Sequence, residues 1–319
     1  MKYNCSTRPV NPLITAQAPL ELAVGSNASV NPPLLTAVSG LPAIVTPPRL
    51  RTEVGRYRLR LAESDRDREA ACRLRFKVFN IELGEGLESS YQTGLDTDLF
   101  DPCCEHLLVE DKQENDPRRR IVGTYRMQSG ESAARNVGYY SEQEFNFAPY
   151  EPLRSGVLEL GRASIDREHR TTEVLTLLWR GIAQYATRMG LRYLIGCSSL
   201  NSKNPADGWQ MYRQLQHYKV SPEFETNARP SYACPIEQEG EHAQPSAVLN
   251  ENADNTDAQQ SQDPIKVPKL LKTYLAIGAR ICAPPAWDRE FGTIDFLTLL
   301  DLRLMSPAAR NRFLAPLTQ

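Results

Sequence analysis

Apolar and polar positions first fall into a regular pattern at Tyr57-Arg-Leu-Arg-Leu61, the alternation of a half-buried strand. Ser64 or Asp65 then caps a helix over about 66–79, whose Ala71, Leu74, Val78 and Phe79 share one side while Arg75 lies on another. From 82 to 104 no period survives, so this stretch reads as a long loop, holding Gly84, Gly86, Gly94 and the acids Asp96, Asp98 and Asp101. Strands at 106–110 and 121–127 flank the polar hairpin KQENDPRRR and imply antiparallel pairing. Ser141 caps a short helix over 142–147. A buried strand then opens the stretch LELGRASIDREHR at 158–170. Val174, Leu178, Ile182, Tyr185 and Met189 repeat at helical spacing over 173–189, and Gly190 closes that helix. A strand at 193–198, helices at 205–215 and 270–281 and a last strand at 293–302 complete the series. The order predicts an α/β (α+β) domain, a mixed sheet flanked by helices.

Two segments carry no such pattern. Residues 1–52 are rich in Pro, Ala, Asn, Ser and Thr, and 235–263 is acidic and amide-rich, so both are expected to be disordered: an N-terminal arm and an insertion. The folded domain is expected over 53–305, with a tail at 306–319. Of 319 residues, 41% are hydrophobic and 24% charged, enough for a full core. A net charge of −2 with a pI near 6.2 argues against nucleic-acid binding. Seven cysteines without a CxxC pair read as reduced thiols. No basic n-region followed by an apolar run and no membrane-length apolar stretch occurs, so the expected location is cytoplasmic, with peripheral contact at the inner face of the membrane left open.

The chemistry concentrates in the 158–170 stretch. A buried strand carrying Glu159 and Arg162 has the layout of an active-site strand. The basic turn after it, with Arg167, Arg170 and the candidate N-caps Thr171 and Thr172, would aim free N–H groups at an anion such as a cofactor phosphate; an ordinary solvated turn is the alternative. The clustered acids Asp96, Asp98 and Asp101, of which Asp98 and Asp101 are the site candidates, suit a site for a cationic substrate, or a solvated loop. They lack the spacing of a calcium loop, and no metal is expected. Arg126, inside a strand, needs a partner or a ligand if buried.

RFKVF, DTDLFD, HLLV, IVGTYR, YYSEQEF, LELGRASIDREHR, LLWRGIA, GCSSL and the tail LLKTYLAIGARICAPPAWDREFGTIDFLTLLDL, in that order over about 57–305, resemble the bacterial N-acyltransferases that begin ornithine lipid synthesis, within the GNAT superfamily and close to long-chain N-acyl amino acid synthases. The resemblance implies a GNAT-like mixed, mainly antiparallel sheet flanked by helices. It further implies transfer of a 3-hydroxyacyl or other long acyl chain from acyl carrier protein to the α-amine of an amino acid, ornithine first, with no bound cofactor beyond the phosphopantetheine thioester that arrives as co-substrate. The sparser pattern of the acyl-homoserine-lactone synthases falls on Arg75 to Phe79, on Asp98 and Asp101, on Gly123 to Arg126 and on Glu159 to Arg162. A lactone synthase and a non-catalytic carrier-protein or lipid-binding module are therefore the rival readings. The sequence 169–174 lacks the glycines of acetyl-CoA-using relatives, which disfavours a tight diphosphate cradle and leaves room for a single phosphate.

In that reading Glu159 is the base that deprotonates the amine, directly or through a water, and backbone N–H groups of Gly161 to Ser164 face the oxyanion. Arg126, Arg162, Asp98 and Asp101 form an ion-pair network that shapes the acceptor site or is simply structural, and Arg75, carried over with its motif, is expected among the substrate-binding residues. Arg167, Arg170 and Arg180, with a second patch at Arg118 to Arg120, would receive the acidic carrier. Trp179, Trp287, Phe291 and Phe296 are candidate walls for the acyl chain. Cys197 is weighed as an acyl-accepting thiol against ordinary strand packing.

Overall fold

A computed structural model describes residues 48–236 and 264–314. The arm up to residue 47, nearly all of the expected insertion and residues 315–319 lie outside the described residues. The alternation at β2 (Tyr57–Leu61) is realised as expected: Tyr57, Leu59 and Leu61 are buried, while Arg58 and Arg60 turn to Glu110 on the other face. One strand precedes it. β1 (Arg51–Val54) pairs antiparallel with β2, and Leu50 is buried in the core, so folded structure begins inside the stretch expected as arm. Four residues with one buried side chain are too short a pattern to read from sequence.

The remaining strands are β3 (Glu105–Asp111), β4 (Ile121–Ser129), β5 (Val157–Ile165), β6 (Tyr193–Leu200), β7 (Arg280–Ile281), β8 (Ala286–Asp288) and β9 (Thr293–Asp301). They form one sheet in the order β1-β2-β3-β4-β5-β6-β9-β7, with β8 also on β9. Every pairing is antiparallel except β5 with β6, the mixed and mainly antiparallel sheet expected of a GNAT-like domain. That parallel pair holds over three residues only, Val157 to Glu159 against Tyr193 to Ile195, and then the two strands part.

Helices cover both faces. α1 (Asp65–Phe76), capped by the Ser64 hydroxyl, seats Ala71 and Leu74 on Leu108 and Ile121. Two short helices, α2 (Ser90–Thr93) and α3 (Gly130–Arg135), follow in chain order. On the opposite face α4 (Thr172–Arg188), capped by Thr171 and ended at Gly190 with φ +69°, buries Leu177, Leu178 and Ile182 against Leu59, Leu107, Tyr125 and Met127. α5 (Pro205–Gln214) and α6 (Lys269–Ile277) cover Ile294 and Phe296. The expected tail supplies α7 (Pro307–Phe313), whose Phe313 ring meets Trp179 at 5.8 Å.

Three expected elements differ. The 142–147 helix is a single 3-10 turn, Ser141–Gln143, because Phe145 and Phe147, two apart, both face the core as in an extended chain. The helix expected over 270–281 stops at Gly278, φ +117°, and Arg280 and Ile281 join the sheet as β7. The 82–104 stretch is not wholly irregular. α1 continues as a π-helix, Lys77–Leu83, and α2 and a 3-10 turn at Asp101–Cys103 punctuate the rest.

The closest backbone approach beside the parting strands sits at Gly196, where a Cβ would stand 2.2 Å from the Leu160 carbonyl oxygen; at Gly161 a Cβ would meet nothing within 4 Å. Gly196→Ala is therefore expected to destabilise the fold by about 1–3 kcal/mol in urea unfolding, while Gly161→Ala leaves the unfolding midpoint within about 0.5 kcal/mol of the parent.

Candidate active site

Where β5 and β6 part, a cavity of about 680 Å³ crosses the sheet, lined by residues 160–165 of one strand and 194–201 of the other. The side under α4 and α6 is apolar, with Tyr125, Leu160, Trp179, Leu194 and Tyr274. On the α1 side the lining turns polar: Arg126, Gln128, Tyr140, Ser141, Glu159, Arg162, Asp288 and Asp295. β5 beyond Glu159 has no ladder partner on its β6 side, so N–H groups there are available to a ligand.

The polar side rests on a buried network of arginines and aspartates. Arg75, with no exposed surface, donates to Asp96 Oδ1 from Nε at 2.8 Å and to Asp101 Oδ1 at 2.6 Å. Arg126 donates to both oxygens of Asp98 at 2.6 and 2.7 Å, and Arg162 reaches Asp98 Oδ2 at 2.9 Å and stands 3.5 Å from Asp96. The backbone N–H of Asp98 donates to Asp101, folding the loop on itself. Three guanidinium groups thus meet three carboxylates, and charge balances. Burial alone would raise the carboxyls of Asp98 and Asp101, but Arg126 and Arg75 outweigh it and hold both below the ordinary range. Asp96 was not among the expected site residues; its signal was the odd spacing of three acids in a Gly-rich loop.

Arg162 reaches this network through an irregularity. Residues two apart share a face of a strand, so Glu159 and Arg162 should point oppositely. A bulge in the β4–β5 pairing sets Arg162 and Ala163 against Tyr125 alone, and Arg162 takes φ +50°, unusual for a residue with a side chain. Its guanidinium then lies 4.9 Å from the Tyr140 ring centroid and 4.1 Å from that of Phe291.

Glu159 is 5% exposed, and its two oxygens accept the N–H groups of Tyr140 and Ser141 at 2.8 Å each. Burial raises its carboxyl above the ordinary value despite those hydrogen bonds. Gly161 and Ser164 line the cavity beside it.

A second group of acids stands at the same wall: Asp288 and Asp295 line the cavity, and Glu144, outside its lining, hydrogen-bonds Asp295. Glu144, Asp288 and Asp295 are each 1–4% exposed, and none forms an ion pair with a cation among the described residues. Glu144, Cys197 and Asp295 bring their donor atoms within 4.8 Å of one another, a grouping absent from the sequence reading, which weighed metal ligands among the cysteines and in the 82–104 loop but joined no such set. Burial, then the neighbouring acids, lifts the Cys197 thiol well above its ordinary value, which makes it a poor nucleophile.

The turn after β5 is a 3-10 turn, Arg167–His169. Arg167 is exposed; Arg170 lines the cavity, donates to the Ile165 carbonyl and pairs with Glu82. Thr171 caps α4, and Thr172 is its first residue. Arg180 leaves this cluster: eight residues further along the helix, it donates to the Arg312 carbonyl in α7. Trp179 and Phe291 line the cavity, whereas Trp287 and Phe296 pack in the core under α5 and α6. Exposed Lys266 and Lys269, outside the sequence expectation, also border it.

Residues 74–180 match the family model of the acetyltransferase (GNAT) domain. The chain is 32% identical over 273 residues to the L-ornithine N(alpha)-acyltransferase of Brucella abortus, covering 82% of this chain and 92% of that protein. It is 32% identical to that of Agrobacterium fabrum, covering 77% and 81%, and 30% identical to that of Rhodobacter capsulatus, covering 80% and 93%. With a sheet of GNAT type, a buried arginine–aspartate network around a cleft between parting strands, and such identity over 81–93% of the length of these relatives, the chain belongs to the L-ornithine N(alpha)-acyltransferase family.

Proposed function

We propose that this protein moves a long acyl chain from the thioester of acyl carrier protein to the α-amine of ornithine. The observation that carries the reading is the division of one cavity: an apolar side able to take a fatty chain, a polar side able to take an amino acid, and the unpaired edge of β5 between them. The amine must lose a proton before it attacks the thioester carbonyl. Glu159 takes that proton on a lone pair that its two backbone donors leave free. Carbon–nitrogen bond formation gives a tetrahedral oxyanion, stabilised by N–H groups between Gly161 and Ser164, and collapse expels the phosphopantetheine thiolate, which leaves as the thiol after taking up a proton. Arg75, Arg126, Arg162, Asp98 and Asp101 hold the acceptor end of the cleft in shape.

For the donor, the glycine-free turn at 169–174 at the start of α4, with Arg170 beside it, suits a single phosphate, and exposed Arg167, Lys266 and Lys269 suit an acidic carrier surface. Exposed Ile81 and Leu99, with Leu83 at the cavity edge, fit a cytoplasmic enzyme that touches the inner face of the membrane as it releases an amphiphilic product.

Mass spectrometry of lipid extracts from bacteria expressing the chain is expected to show an N-acylated ornithine; a lactone would instead favour the homoserine-lactone synthases, and no product would end the enzymatic reading. Glu159 must be ionised to act, so the rate should fall as pH drops through a pKa above the ordinary carboxylate value. Glu159→Gln should lower kcat by about 10²–10⁴ and abolish that acid limb; an unchanged pH profile would remove Glu159 from the base role. Arg167→Glu with Arg170→Glu should raise KM for the carrier on the order of tenfold and flatten its salt dependence, leaving KM for ornithine in place. An unaltered KM for the carrier would refute that docking surface.

A further inference from the structure

The two acid groups of this protein differ in what neutralises them. Asp96, Asp98 and Asp101 are met by three arginines, whereas Glu144, Asp288 and Asp295 form no ion pair among the described residues. Asp288 accepts the N–H groups of Glu290 and Phe291 at 2.9 Å, and the Tyr140 hydroxyl lies 3.4 Å away. Asp295 hydrogen-bonds the side chains of Ser199 and Glu144, with Thr293 Oγ1 3.4 Å away, and burial with the neighbouring acids lifts Glu144 well above the ordinary carboxylate range, so the Glu144–Asp295 pair shares a proton when the cavity is empty. Buried carboxylates with neither cation nor full solvation are costly, and crowding them together adds repulsion.

A separate observation points to a ligand. Gln128, 2% exposed, lines the same cavity opposite Glu159 in the β4–β5 register, and neither its carboxamide nitrogen nor its oxygen has a hydrogen-bond partner; Glu144 Oε1 is likewise without one. Buried amides in a finished core are satisfied. One that is not, facing a cavity with unneutralised acids, calls for a polar, cationic guest.

We infer that Asp288 and Asp295, the two acids of this group that line the cavity, hold the side-chain ammonium of the acceptor, with Glu144 supporting Asp295 through their hydrogen bond, so that this wall selects a basic diamino acid over a neutral amino acid of the same length. The inference rests on the N-acyltransferase reading and names the specificity device within that site. An ammonium suits the place: it offers three donors to several carboxylate oxygens and neutralises charge without a fixed coordination geometry. Burial pushes Asp295 to about 6, and burial with Asp295 pushes the cavity-lining Glu85 to about 7; a bound cation would draw both back toward the ionised state.

The test compares ornithine with norvaline, the same chain without the terminal amine, on the full-length protein. Calorimetry measures binding of each, and turnover with acylated carrier protein measures N-acylation. Asp295→Asn, Glu144→Gln and the parent chain are studied side by side, with circular dichroism confirming the fold. The parent should prefer ornithine by roughly tenfold or more, the size of one lost charge-assisted hydrogen bond, and each variant should reduce that preference severalfold or more. Equal binding of both amino acids by the parent, or variants that weaken both in proportion, would overturn the inference. Loss of ornithine binding on chelation with EDTA, restored by zinc, would also overturn it by showing that Glu144, Cys197 and Asp295 hold a metal. Selective ornithine binding that Asp295→Asn abolishes, with no acylation by the parent, would sustain the cationic pocket and refute the acyl-transfer reading.

Discussion

The buried pairing of Arg75, Arg126 and Arg162 with Asp96, Asp98 and Asp101 is the constraint on which the site depends. Removing any one partner strands a charge where water cannot reach it, at a cost of about 3–5 kcal/mol. The network joins α1, the long loop and two neighbouring strands, so the loop is fixed to the sheet by charge rather than by regular structure. It also stabilises the left-handed conformation of Arg162, which by itself is unfavourable by on the order of 1–2 kcal/mol.

Around that fixed point the sheet opens. β5 and β6 pair for three residues and separate, which leaves backbone donors and a passage from one face to the other. A parallel pair is where such an opening arises most readily, since its strands need not be joined by a hairpin. The opening joins an apolar lining on one side of the layer to a polar lining on the other, which in the proposed reaction would take the acyl chain and the amino acid respectively. Only the thioester and the amine need share the middle. The carboxylates of the polar half differ in their partners: Asp96, Asp98 and Asp101 are neutralised by arginine, whereas Glu144, Asp288 and Asp295 pair with no cation among the described residues, the difference on which the inferred ammonium site rests.

Periodicity made most of the fold legible. β2 follows from alternation and α4 from a three-to-four-residue repeat, because each packs one face on the core, whereas β3, β4, β5 and β6, largely buried, read as short apolar runs set off by polar turns. Where the pattern misled, tertiary packing was the reason. Phe145 and Phe147 looked like part of a helix but both face the core, and the short strand β1 carried too little pattern to be read.

Of the site, the sequence by itself determined which residue types are present and that Arg75, Asp98, Asp101, Arg126, Glu159 and Arg162 stand in family order. Only the tertiary structure decided their relations. It alone puts Glu159 and Arg162 on one side, through a bulge whose register depends on the partner strand. It alone brings Asp288 and Asp295 to the cavity that Gln128 lines, with Glu144, 151 residues before Asp295, hydrogen-bonded to it. Alternation and helical repeat are local properties of the chain, whereas charge neutralisation and hydrogen-bond satisfaction depend on neighbours that only folding supplies.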